Sequence, residues 1–170
     1  DFTLLQQHRL YPFDCCGEGH FIALLSRDGI SRPISAPFLG NSRHSALDGL
    51  VKKSLGFSRL AQFGRYTCAV SPLLPDLKGL KVVRPGLQLF EDGKTPRPAH
   101  ALAMWLTPDQ ALAHVELNED QARRYLRGEA IEYDAPSGWA LACYDGCPLG
   151  WVKSVPGRLQ NHRPKGLRRS

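Results

Sequence analysis

The stretch GWALACYDGCPLGWVKSV, residues 138–155, constrains the fold more than any other part of the chain. Two apolar runs rich in aromatic and β-branched residues flank Asp145-Gly146, a pair that takes up left-handed backbone readily and so marks a β-hairpin. Asp145-Gly146-Cys147-Pro148 is therefore read as the loop between two antiparallel strands. AIEY just upstream predicts a third strand, and together they predict a small, strongly curved sheet at the C-terminal end.

The rest of the chain is also cut into short pieces by turn residues. RYTCAV, LKVV and LQLF alternate with SPLLPDLKG, Arg84-Pro85-Gly86 and Asp92-Gly93, the pattern of a small β unit between Phe63 and Glu91. Leu10 to Phe13 and His20 to Leu25 read as two strands. The second is nearly all apolar, as suits a strand buried on both faces of a larger sheet, yet residues 1–30 hold too little material to build one. The expectation is that the chain begins inside a domain.

Residues 30–41 collect Pro33, Pro37 and Gly40 and read as a linker. Ser42 to Leu55 carries Ala46, Leu47, Leu50, Val51 and Leu55 at helical spacing, with Gly56 as a stop. Pro98 is placed to open a helix through AHALAMWL, and Thr107-Pro108-Asp109 to start another around Ala111. AHVEL reads as a strand. Asn118 with Gln121 three positions on has the spacing of a reciprocal N-terminal cap, Gly128 is the matching stop, and Ala122, Tyr125 and Leu126 make the apolar face. The fold class is α+β: small curved mixed or antiparallel sheets with short helices.

Charge points to the partner. Residues 151–170 hold six of the 22 Lys and Arg and none of the 16 Asp and Glu, so the first 150 residues balance at 16 against 16. A net charge confined to one segment is a footprint for a polyanion. Phosphates need cations and amides along a path, which Lys153, Arg158, Gln160, Asn161, His162, Arg163, Lys165, Arg168 and Arg169 supply. Tyr144 and Trp151, with Trp139, are interleaved with this strip, as core or as platforms for unstacked bases. Gly157, Pro164 and Gly166 predict a tail with a defined path. Arg123, Arg124 and Arg127 fit a solvated helix surface offset by Glu119, Asp120 and Glu129 better than an RNA contact.

Other chemistries find weaker support. Five cysteines lack the paired spacing of zinc sites, including the Cys15-Cys16 doublet, so no metal is expected. Cys68 could serve as a nucleophile with one of the histidines, but a lone thiol in an apolar strand is ordinarily inert packing. Gly17-Glu18-Gly19 lacks the third glycine of a dinucleotide loop. No catalytic residue is assigned. No apolar run approaches bilayer length and no signal peptide opens the chain, so a cytoplasmic location without membrane contact is expected.

RRYLRGEAI and GWALACYDGCPLGWVKSVPGRLQNHRPKGLR closely resemble the PUA-like RNA-binding domain of bacterial ribosomal RNA cytosine-5 methyltransferases of the Sun type. LKGLKVVRPGLQLFEDGKTPRPAHALAMWL resembles the segment before that domain, and RLYPFDCCGEGHFIALL the closing strand pair of the catalytic domain. Residues 30–78 match loosely, and Leu89-Phe90 stands where the family more often has Leu-Gly. The resemblance implies four regions: a catalytic-domain remnant at 1–29, a linker at 30–41, an intermediate α+β domain at 42–95 and a PUA-like domain at 96–170. It also implies that S-adenosylmethionine and both catalytic cysteines belong to an upstream catalytic domain, while this region positions small-subunit ribosomal RNA. Tyr144, Trp151, Lys153, Arg158, Gln160, Asn161, His162, Lys165 and Arg168 are the expected RNA contacts. The alternative is a protein-interaction module docking an acidic ribosomal or maturation partner.

Overall fold

The structure, a computed structural model, describes residues 2–11, 13, 19–29, 45–53, 55–74, 77 and 79–169. It divides into two compact units, residues 1–34 and 35–170.

The first unit is a hairpin. Strand β1, Phe2–Leu10, runs antiparallel to β2, His20–Arg27, with Phe2 opposite Arg27 and Leu10 opposite His20. The first strand thus ends at Leu10 instead of spanning Leu10 to Phe13, because Leu10 already meets the first residue of its partner and Tyr11 falls beyond the ladder. Apolar side chains stand exposed on both faces, among them Phe2, Leu4, Leu5, Phe21, Ile22 and Leu25. The linker expected at 30–41 and the Cys15-Cys16 pair lie outside the described residues.

The second unit contains two sheets. Helix α1 is Ser45–Asp48, much shorter than the helix expected to Leu55. A long-range contact overrides the local periodicity: Val51 forms an isolated bridge with Ala111, and Lys52 N–H donates to the Gln110 carbonyl at 3.0 Å. Leu47, Leu50 and Val51 are buried all the same, as their spacing predicts.

β3 (Leu60–Phe63), β4 (Tyr66–Ala69), β5 (Leu87–Glu91) and β6 (Arg97–Pro98) form a four-stranded antiparallel sheet in sequence order. LKVV is not a strand. Pro98 lies in β6 opposite Phe90, so helix α2, His100–Trp105, begins after it with Ala99 at its N-cap. Thr107 to Gln110 is a turn instead of a helix start: Gln110 N–H donates to the Thr107 carbonyl, and the Gln110 side chain accepts from Thr107 N–H.

The C-terminal sheet contains β7 (His114–Glu116), β8 (Ile131–Glu132), β9 (Gly138–Tyr144), β10 (Cys147–Val155) and β11 (Arg158–Asn161), in the order β7-β9-β10-β11-β8. The β7–β9 pair is parallel and the others antiparallel. Between β7 and β8 runs helix α3, Glu119–Arg127. Asn118 accepts from Gln121 N–H, the Gln121 side chain accepts from Asn118 N–H, and Gly128 stops the helix at φ +89°. That is the reciprocal cap read from the sequence.

The hairpin loop is two residues, Asp145-Gly146, both left-handed, and Cys147 already pairs with Tyr144. The extra residue is absorbed by a bulge between Pro148 and Gly150, which curves the sheet. Gly150, at φ +144°, is required there: a Cβ would collide with the Tyr125 hydroxyl and His100 Nδ1. The α+β class with small curved mixed sheets holds.

Alternation along β9 and β10 gives this sheet two buried faces. Leu141, Cys143 and Trp151 join Leu102, Ala103, Leu89, Phe90 and Leu47 in one core. Ala140, Ala142, Val152 and Leu159 join Ala122 and Tyr125 of α3 in another. The first core runs without interruption across residues 95 and 96.

Candidate nucleic-acid interface

The basic segment is ordered, and most of it is not a free tail. Its first part is β10 and β11 joined at Pro156-Gly157; its last part is a single 3-10 turn, Lys165–Leu167. β11 escaped the sequence reading, although Pro-Gly between LGWVKSV and RLQN was a usable turn signal. The chain then folds back, Arg169 N–H donating to the Leu126 carbonyl at 3.0 Å near the end of α3.

This path sorts the expected RNA contacts. Trp151 is 2% exposed and its indole N–H donates to the Ala99 carbonyl at 3.0 Å, so it is core and unavailable for stacking. The residue lies on the face of β10 covered by α2, which strand alternation alone could not have told. Asn161 is likewise committed to the fold. Its Nδ2 donates to the carbonyls of Tyr125 (2.8 Å) and Glu129 (3.0 Å), and its Oδ1 accepts from Arg163 N–H at 2.8 Å. Arg163 turns inward too, donating to the Leu149 and Leu167 carbonyls.

Five cations of the segment stay exposed: Lys153, Arg158, Lys165, Arg168 and Arg169. The Arg168 stem lies against Gly128, where a Cβ would displace it, and its Nε donates to the Arg163 carbonyl at 3.3 Å. Arg158 stands opposite Glu132 in the β11–β8 ladder. Tyr144 is exposed at the hairpin tip and walls a cleft of about 370 Å³ on the α3 side, floored by Leu126 and Leu149 and rimmed by Arg127 and Arg169. By contrast, the α3 arginines are paired: Arg123 with Glu119 at 2.7 Å, and Arg124 and Arg127 with Glu129 at 3.2 and 2.7 Å. Such exposed pairs add little stability but cancel charge locally, in agreement with the solvated-surface reading.

Lys153 and Gln160 pair across the ladder, and Lys153 also faces Trp139 with Nζ 6.0 Å from the ring centroid. His162 sets its edge on the same indole at a centroid distance of 4.5 Å. Burial, reinforced by Arg97 and Lys153, holds the His162 imidazole below its ordinary pKa, so it is neutral at neutral pH.

His162 also borders a groove of about 770 Å³ between the β3–β6 sheet, α2 and the end of the chain. Arg97 reaches it from β6, Arg65 from the β3–β4 turn and Arg84 from the segment before β5. Its single carboxylate, Glu91, is held by Arg65 at 3.3 Å and Arg97 at 3.7 Å. Sequence reasoning missed these three arginines because residues 1–150 balance in total charge, and only folding brings them beside the tail.

Neither Cys68 nor Cys143 has the setting of a reactive thiol. Cys68 is fully buried and burial raises its pKa, while burial pushes the Cys143 thiol up to about 11. Among the described residues no group of His, Cys, Asp and Glu is arranged to hold a metal. No helix of these residues is long and apolar enough to cross a membrane.

Comparison with known proteins agrees with this architecture. Residues 113–169 match the family described as the methyltransferase RsmF PUA domain. The ribosomal RNA small subunit methyltransferase F of Shewanella loihica is 30% identical over 144 residues, 82% of this chain and 28% of that protein. Its counterpart from Shewanella oneidensis is 33% identical over 92 residues, 52% of this chain and 19% of that protein. The chain thus spans under a third of the length of these relatives. A curved C-terminal sheet with a capped helix, the domain match over it and the relatedness beyond it place the chain in the ribosomal RNA small subunit methyltransferase F family, as a part that carries the PUA domain.

Proposed function

We propose that this chain is the RNA-binding region of an S-adenosylmethionine-dependent ribosomal RNA (cytosine-5) methyltransferase and positions small-subunit RNA for a catalytic domain of the same protein, in the cytoplasm. In this reading residues 1–29 are the closing strand pair of that catalytic domain, 30–41 a linker, 42–95 an intermediate region and 96–170 the PUA-like domain. One observation carries it: after Trp151 five exposed cations stand on an ordered backbone with no acid in the segment.

The division of labour has a physical basis. A target base must leave its stack to be methylated, and contacts elsewhere along the backbone offset that cost of a few kcal/mol. Lys153, Arg158, Lys165 and Arg168 supply phosphate contacts. Gln160 and His162 offer neutral donors and acceptors, and Tyr144 an exposed ring. Trp151 and Asn161 serve indirectly, the first anchoring β10 and the second tying the end of β11 to α3.

Neither of the two cavities described above suits that cofactor. Its cationic sulfonium would meet Arg65, Arg84 and Arg97 in the larger groove, where Glu91 is already engaged. In the smaller cleft Glu119 is bound to Arg123.

The test is charge reversal at exposed positions. Arg158→Glu with Lys165→Glu should weaken binding of small-subunit RNA fragments roughly tenfold or more near 0.1 M salt, to similar extents across sequences. Unchanged RNA affinity, with binding lost instead to an acidic ribosomal or maturation protein, would replace this reading by the protein-interaction alternative.

A further inference from the structure

We propose that the groove between the β3–β6 sheet and α2 holds a single-stranded segment of the bound RNA, with phosphates on Arg84 and Arg97 and a base against the Trp139–His162 pair. This rests on the RNA-binding reading above and adds two cations, Arg84 and Arg97, that lie outside both the basic segment and the matched residues 113–169.

Charge, shape and aromatic chemistry converge there. Three guanidinium groups face one carboxylate in the groove, and Arg84 makes no ion pair among the described residues, so a positive excess remains. The groove is continuous with the tail's own cations: His162 lines it, touches Trp139 and feels both Arg97 and Lys153. A cationic path therefore runs from Arg84 through Arg97 to Lys153. With a volume of about 770 Å³ it is within the range of ligand-sized pockets.

Flexible single strands fit such a path better than a duplex. Trp105, about half exposed, lines the groove with Met104, and Trp139, partly buried, adjoins it through His162, so rings are available only to bases that have left a helix. His162, neutral beside two cations, can donate or accept at a base edge. An acidic peptide could neutralise the arginines but would leave the stacking rings unused.

Arg84→Gln/Arg97→Gln tests the groove, read by fluorescence anisotropy with labelled single-stranded and duplex oligoribonucleotides of small-subunit sequence. Removing two contacts from a single strand should flatten the log-log salt slope by about 1.4 and cost about 25-fold in affinity at 0.1 M salt, since each contributes about 0.7. Arg84→Lys/Arg97→Lys should restore both, and duplex binding should change less. If wild type binds and the Gln variant binds equally with the same slope, the groove is not on the RNA path, although the tail reading survives. Equal loss on duplex and single strand overturns the single-strand assignment. Failure of wild type to bind any RNA sinks the underlying reading instead. Both arginines are exposed, so an unchanged melting temperature separates lost contacts from lost fold.

Discussion

Two hairpins of similar length and apolar content behave oppositely. β1 and β2, nine and eight residues, leave apolar side chains exposed on both faces, with Phe2 at 71% and Phe21 at 59%. β9 and β10, seven and nine residues, bury theirs on both, with Leu141 and Val152 fully covered. The composition of a strand therefore does not decide its burial. What differs is the layering: β10 lies between α2 on one side and α3 on the other, whereas among the described residues β1 and β2 form a two-stranded sheet. A two-stranded sheet is marginal alone, and further strands or packing against a helix are needed for independent stability.

The largest effect should come from removing a side chain that only one hairpin has packed. Trp151→Ala empties a core site and leaves the Ala99 carbonyl without its donor, so it should cost about 4 kcal/mol in denaturant unfolding. Phe21→Ala should change the unfolding of the C-terminal unit by less than about 0.5 kcal/mol. Equal costs would erase the contrast between the hairpins.

Asn161→Ala sharpens the comparison at the exposed end of the packed sheet. Three hydrogen bonds to backbone groups disappear, and a loss of about 2 kcal/mol is expected, with RNA affinity of the folded fraction preserved. Weakened binding without a stability change would return Asn161 to the RNA contacts.

The smallest effect is acid sensitivity. Burial depresses the pKa of His100 and His162 from the ordinary 6.5, so the unfolded chain binds protons that the folded one refuses. Stability of the C-terminal unit should be full above pH 6.5 and fall as pH drops below it. His162→Gln should reduce that slope, as followed by melting temperature against pH; a slope of opposite sign would show that the imidazole is stabilised as a cation.

Much of this was legible because local chemistry and tertiary packing agree. The Asn118-Gln121 cap, the Gly128 stop and the Asp145-Gly146 turn are each set by residues within a few positions, and each appears where the sequence places it. Departures arise where distant residues intervene. Helical spacing through Leu55 yields to the Val51–Ala111 bridge, and Pro98 serves an edge strand opposite Phe90 before any helix begins. At the site, the cationic and amide-rich residue types are legible in the sequence, but the way each side chain points is not. Trp151 and Lys153 share a face of β10, yet α2 covers only the first. Arg84 and Arg97 lay beyond reach because the β5–β6 hairpin and the segment before it bring them to the groove beside His162 only in the folded chain.

The most direct measurement is the salt dependence of RNA binding by the wild-type chain, taken from about 0.05 to 0.5 M monovalent salt with a single-stranded small-subunit fragment. Five exposed cations after Trp151, with most of them on phosphates, predict a log-log slope of about −3 or steeper. A slope shallower than about −1, or no binding at low salt, would contradict an RNA-gripping surface at this end of the molecule.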